Sequence, residues 1–162
     1  MDMIKVGPAG GNRGTIWDEK GRDLVGGIFV SYSRDRVLSL QFFFHENGNL
    51  VQSNKHGIDD CRNFYAVVFD YPSEFLTSIS GSYINTGYAT VLESIKFSTN
   101  KGSYGPFGCT LPSTGANNFN FEIGNHRFFG GFHGRNNSSG VESIGIYVKP
   151  IIPSMKNLRI QK

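Results

Sequence analysis

The residues with the clearest chemical potential lie in a polar loop near the end of the chain. Residues 136–141 read Asn-Asn-Ser-Ser-Gly-Val, and the acidic residue Glu142 follows directly. An ionised carboxylate in a loop is a strong hydrogen-bond acceptor and can hold a polar ligand. The alternative interpretation is an exposed or ion-paired acid without a binding role, and the residue types alone leave both open.

The sequence gives weaker support for a metal site or a catalytic site. His126 and His133 are surrounded by no further His, Cys or carboxylate at metal-ligand spacing, so we interpret them as structural and expect no metal site. The chain contains no Gly-x-Ser-x-Gly, phosphate-loop or dinucleotide motif. Composition alone leaves an acid pair of the glycosidase type open. The absence of the other catalytic motifs favours a binding protein over an enzyme, so we expect no catalytic residue and no cofactor.

Composition narrows the class of protein. The 162 residues suffice for one domain, and a 38% hydrophobic, 18% charged balance is typical of a globular chain. The net charge of +3 comes from scattered basic residues, which argues against a nucleic-acid partner, and no apolar run is long enough for a membrane span. The start shows no signal-peptide pattern. We therefore expect a cytoplasmic protein that is not secreted, with an additional nuclear location left open, and with Cys61 and Cys109 reduced.

Short alternating apolar runs, separated by turn signals, predict an all-β domain. Apolar and polar residues alternate over residues 38–43, 118–123 and 144–149, and no 12-residue stretch has a helical period. The chain also carries 21 glycines and 14 phenylalanines, which suits short strands joined by tight turns.

Three segments share one outline of strand, loop and strand. The loops span residues 34–36, 85–88 and 135–139, and Leu-Ser-Leu, Glu-Ser-Ile and Glu-Ser-Ile follow them. The match is short, so chance similarity is the alternative to pseudo-threefold symmetry. Each unit can bury one face of its strands only against the other two, which favours a prism or barrel with a shared core.

Three stretches, in this order, resemble the jacalin-related lectins, in particular the plant single-chain mannose type. They are residues 5–12 (Lys-Val-Gly-Pro-Ala-Gly-Gly-Asn), residues 97–108 (Phe-Ser-Thr-Asn-Lys-Gly-Ser-Tyr-Gly-Pro-Phe-Gly), and residues 129–134 with residues 144–148. The resemblance implies a β-prism of three four-stranded antiparallel sheets with pseudo-threefold symmetry. We therefore divide the chain into a lectin domain over residues 1–150 and a tail over residues 151–162.

The resemblance also implies a sugar site built from three loops. In the family, a glycine-rich loop, an aromatic residue of the middle repeat and an aspartate of the last repeat surround the sugar. The corresponding candidate ligand-binding residues in this chain are Gly14, Tyr83, Asn85, Tyr88, Ser139, Gly140, Val141 and Glu142.

The sequence departs from the family pattern at this site. Glu142 stands where the family has aspartate, Ser138 stands where it has glycine, and the loop is one residue longer. Glutamate keeps the charge but moves it by one methylene group, and Arg13 replaces a usual glycine. A second sugar site in the first repeat would need glycine and aspartate where Arg34 and Leu38 stand, so we expect none there.

These features give one leading function and one alternative. The leading hypothesis is reversible binding of mannose- or glucose-type glycans or glycoproteins by a homo-oligomer such as a dimer, in plant defence or stress. The alternative is a self-associating assembly module for protein partners that binds no sugar. The longer loop and residues 130–134 resemble a plant subgroup of the family that restricts virus movement, which favours this alternative.

Overall fold

A computed structural model describes residues 3–60, 62–111 and 113–150, so Cys61 and the predicted tail lie outside the described part of the chain. The described residues form thirteen β-strands, and no helix among them is long and apolar enough to cross a membrane. The strands are β1 (Ile4–Gly10), β2 (Thr15–Asp18), β3 (Leu24–Tyr32), β4 (Val37–Glu46), β5 (Asn49–Gln52), β6 (His56–Gly57), β7 (Asn63–Val68), β8 (Leu76–Asn85), β9 (Thr90–Thr99), β10 (Gly102–Gly108), β11 (Asn117–Glu122), β12 (Phe129–Asn137) and β13 (Gly140–Val148).

The strands form three antiparallel sheets. Sheet I has the order β1-β13-β12-β2, sheet II has the order β5-β4-β3-β7 with the short β6 beside β4, and sheet III has the order β10-β9-β8-β11. The three predicted repeats are the hairpins β3–β4, β8–β9 and β12–β13, and each hairpin forms the centre of one sheet. This arrangement confirms the expected β-prism.

One backbone hydrogen bond recurs at equivalent positions in all three sheets, as threefold symmetry requires. The carbonyl oxygens of Leu38, Glu93 and Glu142 occupy equivalent positions near the start of the second hairpin strand. They accept hydrogen bonds from the N–H groups of Ile58 (3.0 Å), Cys109 (2.9 Å) and Gly11 (3.3 Å). A glycine with positive φ precedes each donor, at Gly57, Gly108 and Gly10. A side chain there would collide with the accepting carbonyl, at 2.1 to 2.4 Å.

The shared core lies between the three inner faces and consists mainly of aromatic and β-branched residues. Phe42 of sheet II stacks on Phe132 of sheet I at 4.1 Å, and both are fully buried with Phe97 of sheet III. Each sheet would expose this apolar face alone, so the three sheets stabilise one another by burying it. The rigid core holds the hairpin loops at fixed positions at the ends of the prism.

Sequence alone suggests a solvated turn at residues 18–19, and this prediction is wrong for Glu19. Glu19 is only 8% exposed, its carboxylate accepts from His56 Nε2 at 2.7 Å, and it pairs with Arg22 at 2.9 Å. Trp17, which is 6% exposed and belongs to the core, stacks on the His56 ring at 4.2 Å. The buried carboxylate is tolerated because a guanidinium and an imidazole satisfy it.

Candidate functional site

Three loops meet at one end of the prism and enclose a polar cleft of about 480 Å³. The loops are residues 11–14 between β1 and β2, residues 86–89 between β8 and β9, and residues 138–139 between β12 and β13. The cleft is lined by Asn12, Arg13, Gly14, Asn85, Gly87, Tyr88, Ala89, Thr90, Asn137, Ser138 and Glu142. Two sheets, I and III, therefore supply the site.

The carboxylate of Glu142 forms the floor of the cleft. It is 3% exposed, and its Oε2 accepts from the N–H groups of Arg13 (3.1 Å) and Gly14 (2.9 Å). Its Oε1 accepts from Asn137 Nδ2 at 3.2 Å. None of the ion pairs among the described residues involves Glu142, so hydrogen bonds from backbone and amide groups alone compensate its charge. The charge thereby fixes the glycine-rich loop against β13.

Two glycines allow this close approach. A Cβ at Gly11 would lie 2.8 Å from the side chains of Glu142 and Thr90, and a Cβ at Gly14 would lie 2.1 Å from the carbonyl oxygen of Asn136. The Arg135 guanidinium also donates to the Gly14 carbonyl at 2.8 Å. The loop therefore lies directly on the β12–β13 hairpin, where any side chain at these two positions would displace it.

The loop between β8 and β9 presents an aromatic ring to solvent. Thr86 and Ala89 close the turn through a backbone hydrogen bond of 2.9 Å, and Asn85 Oδ1 accepts from the Gly87 N–H at 2.9 Å. Tyr88 at the tip is fully exposed. Its ring has no packing partner to displace, so it is free to lie on the apolar face of a ligand.

Asn137 and Arg36 organise the turn between β12 and β13. Asn137 Oδ1 accepts from the Ser139 N–H, and its Nδ2 donates to the Thr90 carbonyl, each at 2.9 Å. Arg36 from the first repeat donates to the Ser139 carbonyl at 2.8 Å. The turn is therefore tied to both neighbouring repeats, and its shape depends on all three.

The cleft brings together Gly14, Asn85, Tyr88 and Glu142 of the residues identified from sequence. Ser139, Gly140 and Val141 belong to the adjoining turn and strand but do not line it, and Val141 is buried in the core. Tyr83 lies within β8, where it pairs with Asn117 and Leu92, and does not line it either. The role of each of these residues as a ligand contact stays a prediction.

Sequence reasoning missed three polar residues that shape the cleft. Asn12, Thr90 and Asn137 line it, and Asn137 contacts both Glu142 and the Ser139 N–H. An asparagine two residues before a turn donor is a known side-chain–backbone pattern, and the sequence 137–139 contains it. The reach of Asn137 to Glu142 and to Thr90 depends on tertiary contacts that no local pattern gives.

The arrangement suits binding better than catalysis. The carboxylate of Glu142 offers about four lone-pair sites, three donors already use it, and about one acceptor site therefore remains for a ligand hydroxyl. The cleft holds one acid, whereas glycoside hydrolysis ordinarily uses two. Among residues 3–60, 62–111 and 113–150, no group of His, Cys, Asp and Glu could hold a metal ion.

The equivalent positions of the other two repeats differ. Leu38 is fully buried in the first repeat, where a more open depression is lined by Ser33, Arg34, Asp35, Arg62 and Asn63. A hydrogen bond from Ser33 Oγ, at 2.5 Å, is the main cause that lowers the pKa of Asp35. In the second repeat, Glu93 is 1% exposed and accepts from the Ser113 N–H at 2.8 Å. Its Oε2 has no hydrogen-bond partner within the described residues.

Comparison with known proteins agrees with this geometry. The Jacalin-like lectin domain family matches residues 6–147. The chain is 38% identical over 154 residues to Protein RESTRICTED TEV MOVEMENT 1 of Arabidopsis thaliana, covering 91% of this chain and 87% of that protein. It is 34% identical over 161 residues to Jacalin-related lectin 2 of the same plant, with 92% and 88% covered.

The three-dimensional structure agrees as well. The crystal structure of the artocarpin–mannopentose complex superposes with a TM-score of 0.80 at 29% identity, covering 93% of this chain and 99% of that one. This family and fold are those of non-enzymatic, carbohydrate-binding proteins. The chain belongs to the jacalin-like lectin domain family.

Proposed function

We propose that this protein binds mannose- or glucose-type glycans in the cleft above Glu142 and catalyses no reaction. The single observation that carries the proposal is the convergence of three loops on a buried carboxylate with polar amides around it. The similarity to a structure that holds mannopentose supports the ligand class. A sugar offers the hydroxyl groups that such a set of acceptors and donors matches.

Different residues of the cleft would contact different parts of the sugar. One sugar hydroxyl donates to the remaining acceptor site of Glu142, and the Asn85 amide, whose N–H groups line the cleft, contacts a neighbouring hydroxyl. The fully exposed ring of Tyr88 covers the apolar face of the sugar. A monosaccharide has few atoms, so binding of about 4 kcal/mol, or a Kd on the order of 1 mM, is the expected strength.

Calorimetric titration tests the proposal. Wild-type protein is titrated with methyl mannoside and with galactose, and the titration is repeated on Glu142→Ala and Glu93→Ala. Glu93 is the matched control because it occupies the equivalent, equally buried position of the second repeat and does not line the cleft. We expect saturable heat with the mannoside that Glu142→Ala loses and Glu93→Ala keeps. A flat response of the wild type to both sugars would refute glycan binding.

One observation favours a second candidate function. Three donors already occupy the Glu142 carboxylate, which leaves about one acceptor site for a sugar hydroxyl. The chain would then serve as an assembly module in plant defence, a role consistent with its 38% identity to Protein RESTRICTED TEV MOVEMENT 1. Flat calorimetry combined with concentration-dependent self-association would support this candidate over the first.

We also propose that the protein works in a reducing compartment, the cytoplasm or nucleus. Cys109 is a free, half-buried thiol, and burial together with the nearby Glu93 carboxylate raises its pKa. A protonated thiol reacts slowly, which suits a structural cysteine. Imaging of the fluorescently tagged protein in plant cells checks the location, and exclusive accumulation outside the cell would contradict it.

A further inference from the structure

The outer face of sheet II carries an apolar surface that the prism does not cover. This surface, here called the aromatic face, consists of Phe29, Phe43, Leu50, Phe64, Val68 and Tyr71. Their neighbours on the same strands, such as Ile28 and Phe42, point inward and are fully buried. Side chains alternate along a strand, so the aromatic face is the opposite surface of the sheet.

The aromatic face is continuous across the strands. Phe29 contacts Phe64 with ring centroids at 5.2 Å and Phe43 at 4.3 Å. Val68 and Phe43 lie on either side of Gly27, which has no side chain to separate them. Leu50 pairs with His45, and Tyr71 stacks on the His45 ring at 3.9 Å. The patch therefore extends from the edge strand β7 to β5.

The other sheets show that this composition is not a requirement of the fold. The central strands of sheet III present Ser78, Ser80, Ser82, Ser94, Lys96 and Ser98 outward, at positions cross-paired between β8 and β9. On the outer face of sheet I, His133 pairs with Asp18, and Arg135 pairs with Ile16 and with Ser143. These two outer faces are thus mainly polar, and among the described strands sheet II alone presents phenylalanines outward.

The aromatic face also lacks formal charge at its centre. The outward residues of β3, β4 and β7 include no Lys, Arg, Asp or Glu, and Ser31, Ser39 and Gln41 surround the phenylalanines. A surface of this kind carries no charge that a partner must neutralise. It can therefore pack against an identical surface without burying an unpaired charge.

We propose that the aromatic face is the interface of a symmetric dimer, in which a second copy of this chain packs sheet II against sheet II. Face-to-face packing of two twisted sheets is a common arrangement and lets the side chains of both inner faces interdigitate. A two-fold axis through the patch places Phe64 and Val68 of one copy against the phenylalanines of the other. The same patch is used twice, as closed symmetry requires.

The exposed area is large enough to form the apolar centre of a dimer interface. Val68 is 67% exposed, Leu50 60%, Phe64 53% and Tyr71 48%. These fractions leave roughly 450 Å² of the four residues uncovered, which is comparable to the largest patch of a typical monomer, about 300–600 Å², and such patches are often functional. The patch supplies about half of the ~800 Å² that each partner buries in a standard interface, and polar residues around it would have to supply the rest.

The interface leaves the cleft accessible. No residue of the aromatic face lines the cleft, which sheets I and III supply. A dimer through sheet II therefore presents two clefts on one particle. Linked sites raise the apparent affinity for a multivalent glycan without any new contact. The dimer itself does not depend on the proposed sugar binding.

Sedimentation velocity of the full chain tests the proposal, at concentrations from about 1 to 100 µM, where an interface of this size dissociates. Val68→Lys and Phe64→Lys each place a charge in the patch. Ile16→Lys is the matched control, since Ile16 is an apolar residue, 65% exposed, on the outer face of the edge strand β2. All variants are checked for folding by circular dichroism and thermal unfolding.

We expect the wild type and Ile16→Lys to form dimers with similar dissociation constants. The dimer dissociation constant of each face variant should be at least tenfold higher. A wild type that remains monomeric throughout would overturn the proposal. Dimers that persist in both face variants, or that disappear equally in Ile16→Lys, would overturn it too. Calorimetry on Val68→Lys separates the two proposals, because the monomeric variant keeps the per-site sugar response if the cleft binds glycans.

Discussion

Glu142 and Glu93 occupy the same place in two repeats, and Glu142 lies beneath the cleft that sheets I and III form, whereas Glu93 does not line that cleft. Both follow a hairpin loop, both begin a Glu-Ser-Ile sequence, and both are almost completely buried, at 3% and 1% exposure. Glu142 accepts three hydrogen bonds from three different residues. Glu93 accepts one, from Ser113, and its second oxygen has no partner within the described residues.

The difference lies in the neighbouring loops and not in the acids. Residues 11–14 form a glycine-rich loop that turns its N–H groups toward Glu142, and Asn137 adds an amide. Around Glu93, the donor among the described residues is a single backbone N–H, that of Ser113. The same backbone position therefore has different surroundings in the two repeats, because different loops face it.

The largest expected effect comes from removing the charge at the two positions. Glu142→Gln places an amide among three donors and should lower the free energy of unfolding by about 3 kcal/mol. Glu93→Gln keeps the Ser113 bond and removes a poorly compensated charge, so it should change stability by less than about 0.5 kcal/mol. Urea unfolding of both variants measures the difference, and equal losses would break the comparison.

Gly14→Ala should have the next largest effect. The new Cβ would lie 2.1 Å from the Asn136 carbonyl oxygen and would push the loop off the hairpin, at a cost of about 2 kcal/mol. Gly102→Ala is the matched control, because nothing lies within 4 Å of the Cβ position at Gly102. Thermal unfolding compares the two variants. A Gly14→Ala protein as stable as Gly102→Ala would mean that the loop does not depend on this contact.

Tyr88→Ala tests the cleft without affecting the fold. Tyr88 is fully exposed, so its removal should leave the unfolding midpoint unchanged and weaken mannoside binding roughly fivefold through lost ring contact. Leu111→Ala removes another exposed apolar side chain, 81% exposed, which does not line the cleft. Calorimetric titration of both variants decides the point, and equal affinities would exclude Tyr88 as a sugar contact.

The smallest effect is expected from mild acid, which acts on buried histidines of the first and last repeats. Burial lowers the pKa of His56 and outweighs the hydrogen bond to Glu19, and burial also lowers the pKa of His133. Both histidines protonate more readily in the unfolded chain, near pH 6.5, so stability should be complete above about pH 6.5 and fall as the pH drops below it.

Urea unfolding between about pH 7.5 and about pH 5 measures how the free energy of unfolding depends on pH. His56→Gln should flatten this dependence, while His126→Gln should not, because His126 is exposed. Glu74 accepts hydrogen bonds from Thr99 and Tyr104, and its pKa is lowered. Its carboxylate therefore contributes to the pH dependence of stability only under more acidic conditions than the histidines do. A stability that rises on acidification through this range would contradict the buried neutral state of both histidines.

The sequence predicted the large elements because they depend on local patterns. Alternation and turn residues located the three hairpins, and the repeated Glu-Ser-Ile located equivalent positions on two of them. Gly14, Asn85, Tyr88 and Glu142 were found because they lie in the loops at the ends of those hairpins.

The remaining features depend on contacts between distant residues. Glu19 looked like a turn residue, but His56, 37 positions away, and Arg22 bury it. The alternation of apolar and polar residues around Phe29 and Phe43 does not predict that the outer face of sheet II carries phenylalanines that no other part of the prism covers. The three bonds to Glu142 join residues up to 129 positions apart, so no local pattern could reveal that the carboxylate is already occupied.

The most direct test of the central claim is an amide NMR titration with methyl mannoside. Binding in the cleft predicts saturable shift changes for the N–H groups of Gly14 and Ser139, with those of Cys109 and Ser113 beside Glu93 unchanged. Changes confined to the second repeat, or no change at any amide at saturating sugar, would contradict a glycan site above Glu142.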